Sequence, residues 1–391
     1  MADDLLNLRH LQAVAAIVRS GSITEASRLV SLSQPAVSQG VAGLEAQLGL
    51  PLFERAPGSI SPTEAGRALA ARAEAALRLI ASHRVTATQI RAFLALASAG
   101  SYAGAALRTG LSEPSLHRAV SDLALGLGVQ LAARRGRGVV LTPRGRTIAR
   151  NFGLAQAELR SAREELAAIQ GREVGRIAVG AMPLSRARLL PNAVASFNRA
   201  HPGVAIAIVE GSHVELVGPL RDGDIDFMIG ALRDPSPGDD LLQAPLFVDR
   251  PVILARAGHP LAAAGRRFDD EDLGRFGWIV SAEGTPLRRQ WQLMFEAVGR
   301  EPPPVSIECG SVIVVRQLMI QTDLLTLLSP DQVAVELEAG WLVRIAEAPG
   351  NVSRTIGVTT RADWRPTPLQ RRFLDALDEQ AKLIAPQADH A

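Results

Sequence analysis

The chain has 391 residues, 47% of them hydrophobic and 4% aromatic, which is enough for two or more domains each with its own core. The net charge of +2 is uneven: residues 1–171 hold nineteen arginines against twelve acids, while the remainder holds 23 bases and 28 acids, so a polyanion partner belongs to the first part. No run is long enough to span a membrane, Asp3 and Asp4 stand where a signal peptide would begin basic, and the single Cys309 excludes a disulfide framework or a cysteine-rich zinc site, so a cytoplasmic protein with no membrane partner is expected.

Leu8, Leu11, Val14, Ala15 and Val18 recur at helical spacing and predict a first amphipathic helix, ended by Gly21. Ser22-Ile23-Thr24-Glu25 reads as a capping box, with the serine hydroxyl taking the amide three residues on and Glu25 reaching back; it opens a second helix through Leu29. After a short turn, Ser33 caps a third helix with Pro35 in its first turn. Val37, Val41, Leu44 and Leu48 form the inner face of that helix. Gln34, Ser38 and Gln39 are left outward near its start, where small polar side chains can enter a major groove. Gly49 stops the helix, and Leu52-Phe53 with Arg55 begin an extended segment such as a wing. These elements make a winged helix-turn-helix whose candidate DNA contacts are Ser33, Gln34, Pro35, Ser38, Gln39 and Arg55. Ser61-Pro62-Thr63-Glu64 reads as a second capping box, opening a long helix with Leu69, Ala73, Ala76, Leu77 and Ile80 on one face.

A shift of 79 positions then lays Gly21-Ser22 on Gly100-Ser101, Leu32-Ser33 on Leu111-Ser112 and Pro35 on Pro114 without a gap. Val41, Leu44, Leu48, Gly49, Leu52 and Thr63 likewise meet Val120, Leu123, Leu127, Gly128, Leu131 and Thr142, so one supersecondary unit occurs twice. The copies differ where DNA would be read: Gln34, Ser38 and Gln39 become Glu113, His117 and Arg118. Glu25 becomes Gly104 and Phe53 becomes Ala132, which predicts a lost helix cap and a lost core side chain, about 1 kcal/mol or more each. Residues 86–150 hold nine arginines and two acids, and Arg134-Arg135-Gly136-Arg137 looks like a basic wing. Two readings stay open. The second copy grips the DNA backbone through Arg118, Arg134, Arg135 and Arg137, or it is a degenerate spacer or dimerisation surface.

From Pro143 a further helix carries Ile148, Phe152, Ala155, Leu159, Ala162, Leu166 and Ile169 at heptad spacing. That seam suits pairing with the same helix of another subunit, and the alternative is packing within its own domain. The division expected is a winged helix-turn-helix over 1–66, a connecting helix over 67–85, a diverged second copy over 86–145, a linker or dimerisation helix over 146–171, and a further region over 172–391. In that last region strands over 176–180, 204–210 and 226–230 alternate with helices over 189–200 and 214–220. The order predicts a mostly parallel sheet with ligands at the carboxyl ends of the strands. Strands over 252–254, 278–280, 305–307 and 324–328 predict a second subdomain, 354–359 returns to the first, and a last helix covers 368–383. Asp222-Gly223-Asp224-Ile225-Asp226 suggests a calcium loop, but no glycine follows Asp226 and the later glutamate is missing. The seven histidines show no metal-ligand spacing, and neither a phosphate loop nor a nucleophile elbow occurs, so no enzyme, metal or cofactor is expected.

In this order, residues 33–55 resemble the recognition helix and wing of the LysR-type transcriptional regulators. The second half adds Leu189-Leu190-Pro191 with Phe197 and His201-Pro202, Leu220-Arg221-Asp222-Gly223-Asp224-Ile225-Asp226, and His259-Pro260-Leu261. The resemblance covers nearly the whole chain apart from the inserted second copy, and is nearest to regulators of sugar and aromatic-acid catabolism. It implies a multidomain fold: an all-α winged helix-turn-helix region, here in two copies, linker helices, and a C-terminal two-lobed α/β domain similar to periplasmic binding proteins. Lobe I would cover about 172–246 and 350–391, and lobe II about 247–349. The partners implied are double-stranded DNA, a small organic effector such as an organic acid or sugar derivative, and further copies of the chain in a homodimer or homotetramer, for which a roughly palindromic site is expected. By the same likeness the effector cleft is lined by Met182 and Ser185, by Ser212 and His213, by Ser281 and Thr285, and by Cys309 and Ser311. Helix capping is the competing role of Ser185 and Ser212, solvent exposure that of His213, and plain burial that of Cys309. The rival reading is a cytoplasmic solute-binding protein without a DNA role.

Overall fold

The computed structural model describes residues 6–56, 59–136, 138–263 and 268–384, and the chain falls into two compact units, the first ending at residue 175 and taking in 221–224 as well, the second holding the remainder. Arg137 lies outside the described residues, and Arg55 is described through its backbone.

In the first unit α1 (Leu8–Ser20) begins at Asn7, whose side chain accepts from the Arg9 amide, and stops at Gly21 with φ 68°, a left-handed conformation that glycine adopts at little cost. For α2 (Ile23–Leu29) the Ser22 hydroxyl accepts from the Glu25 amide at 3.4 Å. The second arm of the expected capping box is not made, because the Glu25 carboxylate pairs with Arg28 at 3.2 Å on the exposed side of the helix. α3 (Gln34–Leu48) is capped by Ser33 and ended by Gly49, and it buries Val37, Val41 and Leu44. Antiparallel β1 (Phe53–Ala56) and β2 (Ser59–Pro62) form the wing. Ser61 is held in β2 opposite Glu54, so the cap of α4 (Glu64–Ile80) is Thr63, whose hydroxyl accepts from the Gly66 amide at 3.0 Å; this corrects the capping box expected at Ser61.

The second copy repeats these parts as α5 (Ala87–Ala99), α6 (Tyr102–Thr109), α7 (Glu113–Leu127), β3 (Ala132–Arg135), β4 (Gly138–Leu141) and α8 (Pro143–Ile169). The repetition reaches single hydrogen bonds. Thr63 and Thr142 each donate a hydroxyl to the carbonyl two residues before the wing, Pro51 O at 2.8 Å and Gln130 O at 2.7 Å. A Cβ on Gly66 would lie 2.0 Å from Leu52 O, and one on Gly145 would lie 1.9 Å from Leu131 O, so the same close approach forces glycine in both copies. The helix cap expected to be lost is present: Ser101 accepts from the Gly104 amide at 3.1 Å, since the bond needs the serine and a backbone N–H and is indifferent to the side chain at that position. A full capping box occurs instead at Thr86 and Gln89. Ala132 is half exposed where Phe53 is 5% exposed, so the lost core side chain is real.

The heptad seam of α8 packs within the chain. Phe152, Ala155, Leu159, Ala162 and Leu166 lie in one apolar cluster with Leu69, Ala73, Ala76 and Ile80 of α4, and Phe152 meets Phe93 of α5 edge-on at 6.2 Å. The Gln170 amide after α8 donates to Leu48 O and Gly49 O at 3.0 and 3.1 Å, beside the start of α4, so α4 and α8 run antiparallel. At mid-helix Arg72, with a side chain 6% exposed, reaches Glu158 at 3.0 Å and Glu165 at 2.5 Å. Burial would push its pKa down, and hydrogen bonds and charge attraction from the two carboxylates outweigh that and hold it above the ordinary value.

The second unit holds β5 (Gly175–Ala181), α9 (Leu189–Ala200), β6 (Val204–Glu210), α10 (His213–Asp222), β7 (Phe227–Ala231) and β8 (Leu241–Asp249). After them come β9 (Val252–Arg256), β10 (Trp278–Val280), α11 (Pro286–Ala297), β11 (Ile307–Glu308), α12 (Val312–Gln321) and β12 (Leu325–Leu328). The chain closes with α13 (Ala334–Glu338), β13 (Leu342–Glu347), β14 (Arg354–Arg361) and α14 (Pro368–Ile384). One sheet runs β6-β5-β7-β14-β8 and the other β11-β10-β12-β9-β13, each with its own core and with parallel pairs β5/β7, β10/β11 and β10/β12. β14 returns antiparallel between β7 and β8, as the sequence predicts for 354–359. β8 and β13 are antiparallel additions that the sequence reading passed over.

Candidate functional site

Two surfaces carry the chemistry. On the first unit, the start of α3 presents Gln34, Pro35 and Gln39 exposed and Ser38 half-exposed, while Val37 and Val41 anchor the opposite face. The Ser33 hydroxyl is engaged in the cap, accepting from Ala36 at 3.3 Å. At the same places on α7 stand Glu113, His117 and Arg118, all exposed. His117 is held by Ser121 at 3.3 Å and by the ring of Tyr102 at 5.0 Å between centroids. Burial pushes the Tyr102 phenol up, and nearby Arg134 partly offsets it. Arg134 and Arg135 are exposed on β3.

On the second unit, a cavity of about 850 Å³ opens between the two sheets, at the carboxyl ends of β5 and β10 and the starts of α10, α11 and α12. It has room for a small organic molecule. Met182, Ser212, His213, Ser281, Thr285, Cys309 and Ser311 line it. Ser185 does not: it is fully buried beneath the wall and donates its hydroxyl to Met182 O at 2.9 Å, so its role is local structure rather than effector contact. Ser212 is both lining and cap. Its amide and hydroxyl donate to Glu215 at 2.7 and 2.8 Å, bonds that hold the Glu215 carboxyl below its ordinary pKa. The Thr285 hydroxyl accepts from the Arg288 amide and shares a 3.0 Å hydrogen bond with Ser281. Ser311 precedes α12 and makes no side-chain cap bond, and Ser311, Val312 and Ile313 at the start of that helix line the cavity.

The sequence reading missed the charged lining. Arg186 is tied to Glu210 at 2.7 Å, Arg188 pairs with Glu338, Arg316 pairs with Glu336, and Arg354 pairs with Asp249 at 2.7 Å. Arg233 also lines the cavity, half-buried, and has no carboxylate partner among the described residues. Burial, and secondarily Arg354, push its pKa down. Asp331, on the same wall, has its pKa pushed up by burial, with Asp249 adding and Arg188 opposing. A cation left uncompensated in a partly dry cavity is a site for an anion. No spacing rule marks it, because Arg233 follows β7 and its charged neighbour Arg354 lies on β14, far away in sequence.

Comparison with known proteins gives a consistent picture. The family described as LysR substrate binding domain matches residues 170–382. The family described as bacterial regulatory helix-turn-helix protein, lysR family, matches twice, over 8–67 and 87–146. The chain is similar to the HTH-type transcriptional regulator GalR of Pseudomonas putida, 31% identical over 378 residues that cover 93% of this chain and 95% of that protein, so this likeness runs through the second copy. It is 30% identical to the SDS degradation transcriptional activation protein of a Pseudomonas species over 298 residues, 75% of this chain and 96% of that one. Among solved structures, a full-length OxyR variant from Pseudomonas aeruginosa matches with a TM-score of 0.59 at 24% identity, covering 77% of this chain and 96% of that chain. CbnR matches with a TM-score of 0.54 at 20% identity, covering 75% and 98%. The likeness to these two structures is one of fold.

Proposed function

The chain belongs to the LysR family of transcriptional regulators, and we propose from the geometry which residues read DNA and what kind of effector the cleft takes. It is a DNA-binding regulator that joins a helix-turn-helix to a domain binding a small-molecule effector, within a family that acts as oligomers. That membership sets aside an enzyme and a solute-binding protein without a DNA role. In our reading DNA is met by residues 1–66 and 86–145, the helices over 67–85 and 146–171 connect them, and 172–391 senses the effector. A ligand that is chromosomal DNA supports a cytoplasmic location. Gln34, Ser38 and Gln39 meet base edges, where glutamine can pair with adenine, and Ser33, Pro35 and Arg55 set the backbone register.

The effector is a small organic anion, bound with its carboxylate at Arg233 and the open start of α12. The carrying observation is Arg233, a half-buried guanidinium on the cavity wall with no acid beside it among the described residues. Met182, Ser212, His213, Ser281, Thr285, Cys309 and Ser311 shape the remainder of the site. Calorimetric titration of the intact protein with a panel of carboxylic acids and neutral sugars tests this. An acid should bind and lose about tenfold to a hundredfold in affinity in Arg233→Ala, the range of a charge-assisted hydrogen bond. A neutral sugar bound equally well by parent and variant would sink the anion reading. As pH falls through the raised pKa of Asp331, a negative charge leaves the cleft, so anion affinity should rise toward acid; Asp331→Asn should flatten that rise.

A further inference from the structure

The antiparallel pairing of α4 with α8 is built from equivalent faces. Under the 79-residue shift Leu69, Ala73, Ala76 and Ile80 of α4 fall on Ile148, Phe152, Ala155 and Leu159 of α8, and these positions face one another in a single core. Two copies of one unit that pack antiparallel through the same face are related as the subunits of a two-fold dimer are, with the difference that one backbone joins them. Arg72 with Glu158 and Glu165 fixes the register at mid-helix, and Gln170 fixes it at the end. The seam suited to a second subunit is therefore already filled. The second copy has also kept what a reader needs: the Ser112 cap, the Gly128 stop, the wing, and an exposed start of α7.

We propose that residues 6–171 are a DNA-reading pair within one chain, in which α3 and α7 read the two halves of one site and the halves are unlike. This rests on the reading of α3 as a base-contacting helix. Gln34 and Gln39 favour adenine, through its N6 and N7. On α7, Arg118 and His117 can donate to guanine O6 and N7, and Glu113 can accept from a cytosine amino group, so the half-site under α7 is the richer in G·C. The tilted contact of Tyr102 with His117 and the Ser121 hydrogen bond restrict that ring before DNA arrives. Arg134 and Arg135 on β3 supply phosphate contacts beside it. The roughly palindromic site expected for two identical subunits is then replaced by an asymmetric one, and an oligomer carries one such pair per chain.

The test is selection of binding sites from random duplex DNA by the full-length protein, repeated with Gln34→Ala/Gln39→Ala and with His117→Ala/Arg118→Ala. All four side chains are exposed, and circular dichroism confirms that the variants fold. The expected site has two different halves about one helical turn, 10 base pairs, apart. Each double variant should relax one half only and weaken binding about tenfold to a hundredfold. Arg134→Ala/Arg135→Ala should lower the slope of log affinity against log salt by about two, at 0.9 for each phosphate contact, without changing the sequence preferred. Two identical halves, both relaxed by the α3 variant and neither by the α7 variant, would overturn the proposal and leave α3 as the reader of a pair formed between chains. No sequence selection by the parent protein would remove the reading of α3 itself, and the proposal with it.

Discussion

The two winged-helix copies agree in their scaffold and part company on their exposed face. Thr63 and Thr142, Gly66 and Gly145, Arg67 and Arg146 repeat the same bonds at the same places, the two arginines reaching Pro62 O at 2.6 Å and Leu141 O at 2.9 Å. Gln34, Ser38 and Gln39 against Glu113, His117 and Arg118 share nothing but position. Burial and hydrogen bonding restrict what a site accepts, whereas a solvent-facing position on a helix tolerates any polar residue. A difference concentrated there, on a frame that keeps its caps and glycines, is what a changed ligand surface would leave; a decaying copy would lose its caps and glycines as well. Two internal supports do differ: the buried Phe53 is replaced by the half-exposed Ala132, and one carboxylate is lost. The Glu45 carboxylate accepts from the Leu52 and Phe53 amides at 2.7 and 3.2 Å, and its counterpart is Ala124.

Five substitutions press on this comparison. Arg72→Ala should have the largest effect, about 3–5 kcal/mol, because it strands Glu158 and Glu165 between α4 and α8. Chemical denaturation should then resolve two transitions where the shared core predicts joint unfolding of the copies in the parent; a single unshifted transition would mean that they do not depend on their contact. Gly66→Ala and Gly145→Ala each drive a Cβ into a backbone carbonyl and should destabilise by about 1–3 kcal/mol. Equal losses would show that both wings are held alike, and a silent Gly145→Ala would show that the second is slack. Glu45→Ala leaves two amides without their acceptor and should cost about 1–2 kcal/mol, while Ala124→Glu should recover part of that amount in the second copy. Thermal melts of the intact protein read both, and no gain from Ala124→Glu would indicate that the second wing meets its strand by another route.

Much of this architecture was legible because it rests on local rules. Gly21, Gly49, Gly100 and Gly128 mark helix ends since each adopts positive φ, and Ser33 and Ser112 mark helix starts since each caps. Where local rules compete, the reading erred. Ser61 and Thr63 both fit a cap, and strand pairing opposite Glu54 decided for Thr63. The edge strands β8 and β13 alternate irregularly and each contains a register shift, so their periodicity is blurred. The polar cleft residues could be placed by likeness to a family, but Ser185 shows that a correct loop does not fix which side chain faces the cavity. Arg233 and Arg72 lay beyond reach for another reason. Each owes its character to partners, or to their absence, far away in sequence.

The pairing of α4 with α8 also bears on how such a chain can change over generations. In an assembly of identical subunits every substitution in a reading helix appears twice, so both halves of a target must alter together or binding suffers. With α3 and α7 as the proposed pair of readers, joining the two copies in one polypeptide would release that constraint: α7 could drift while α3 held its contacts, and a promoter could shift one half at a time. The joint also fixes the ratio of the two readers at one to one and sets their local concentration by tethering, independently of how much protein the cell makes.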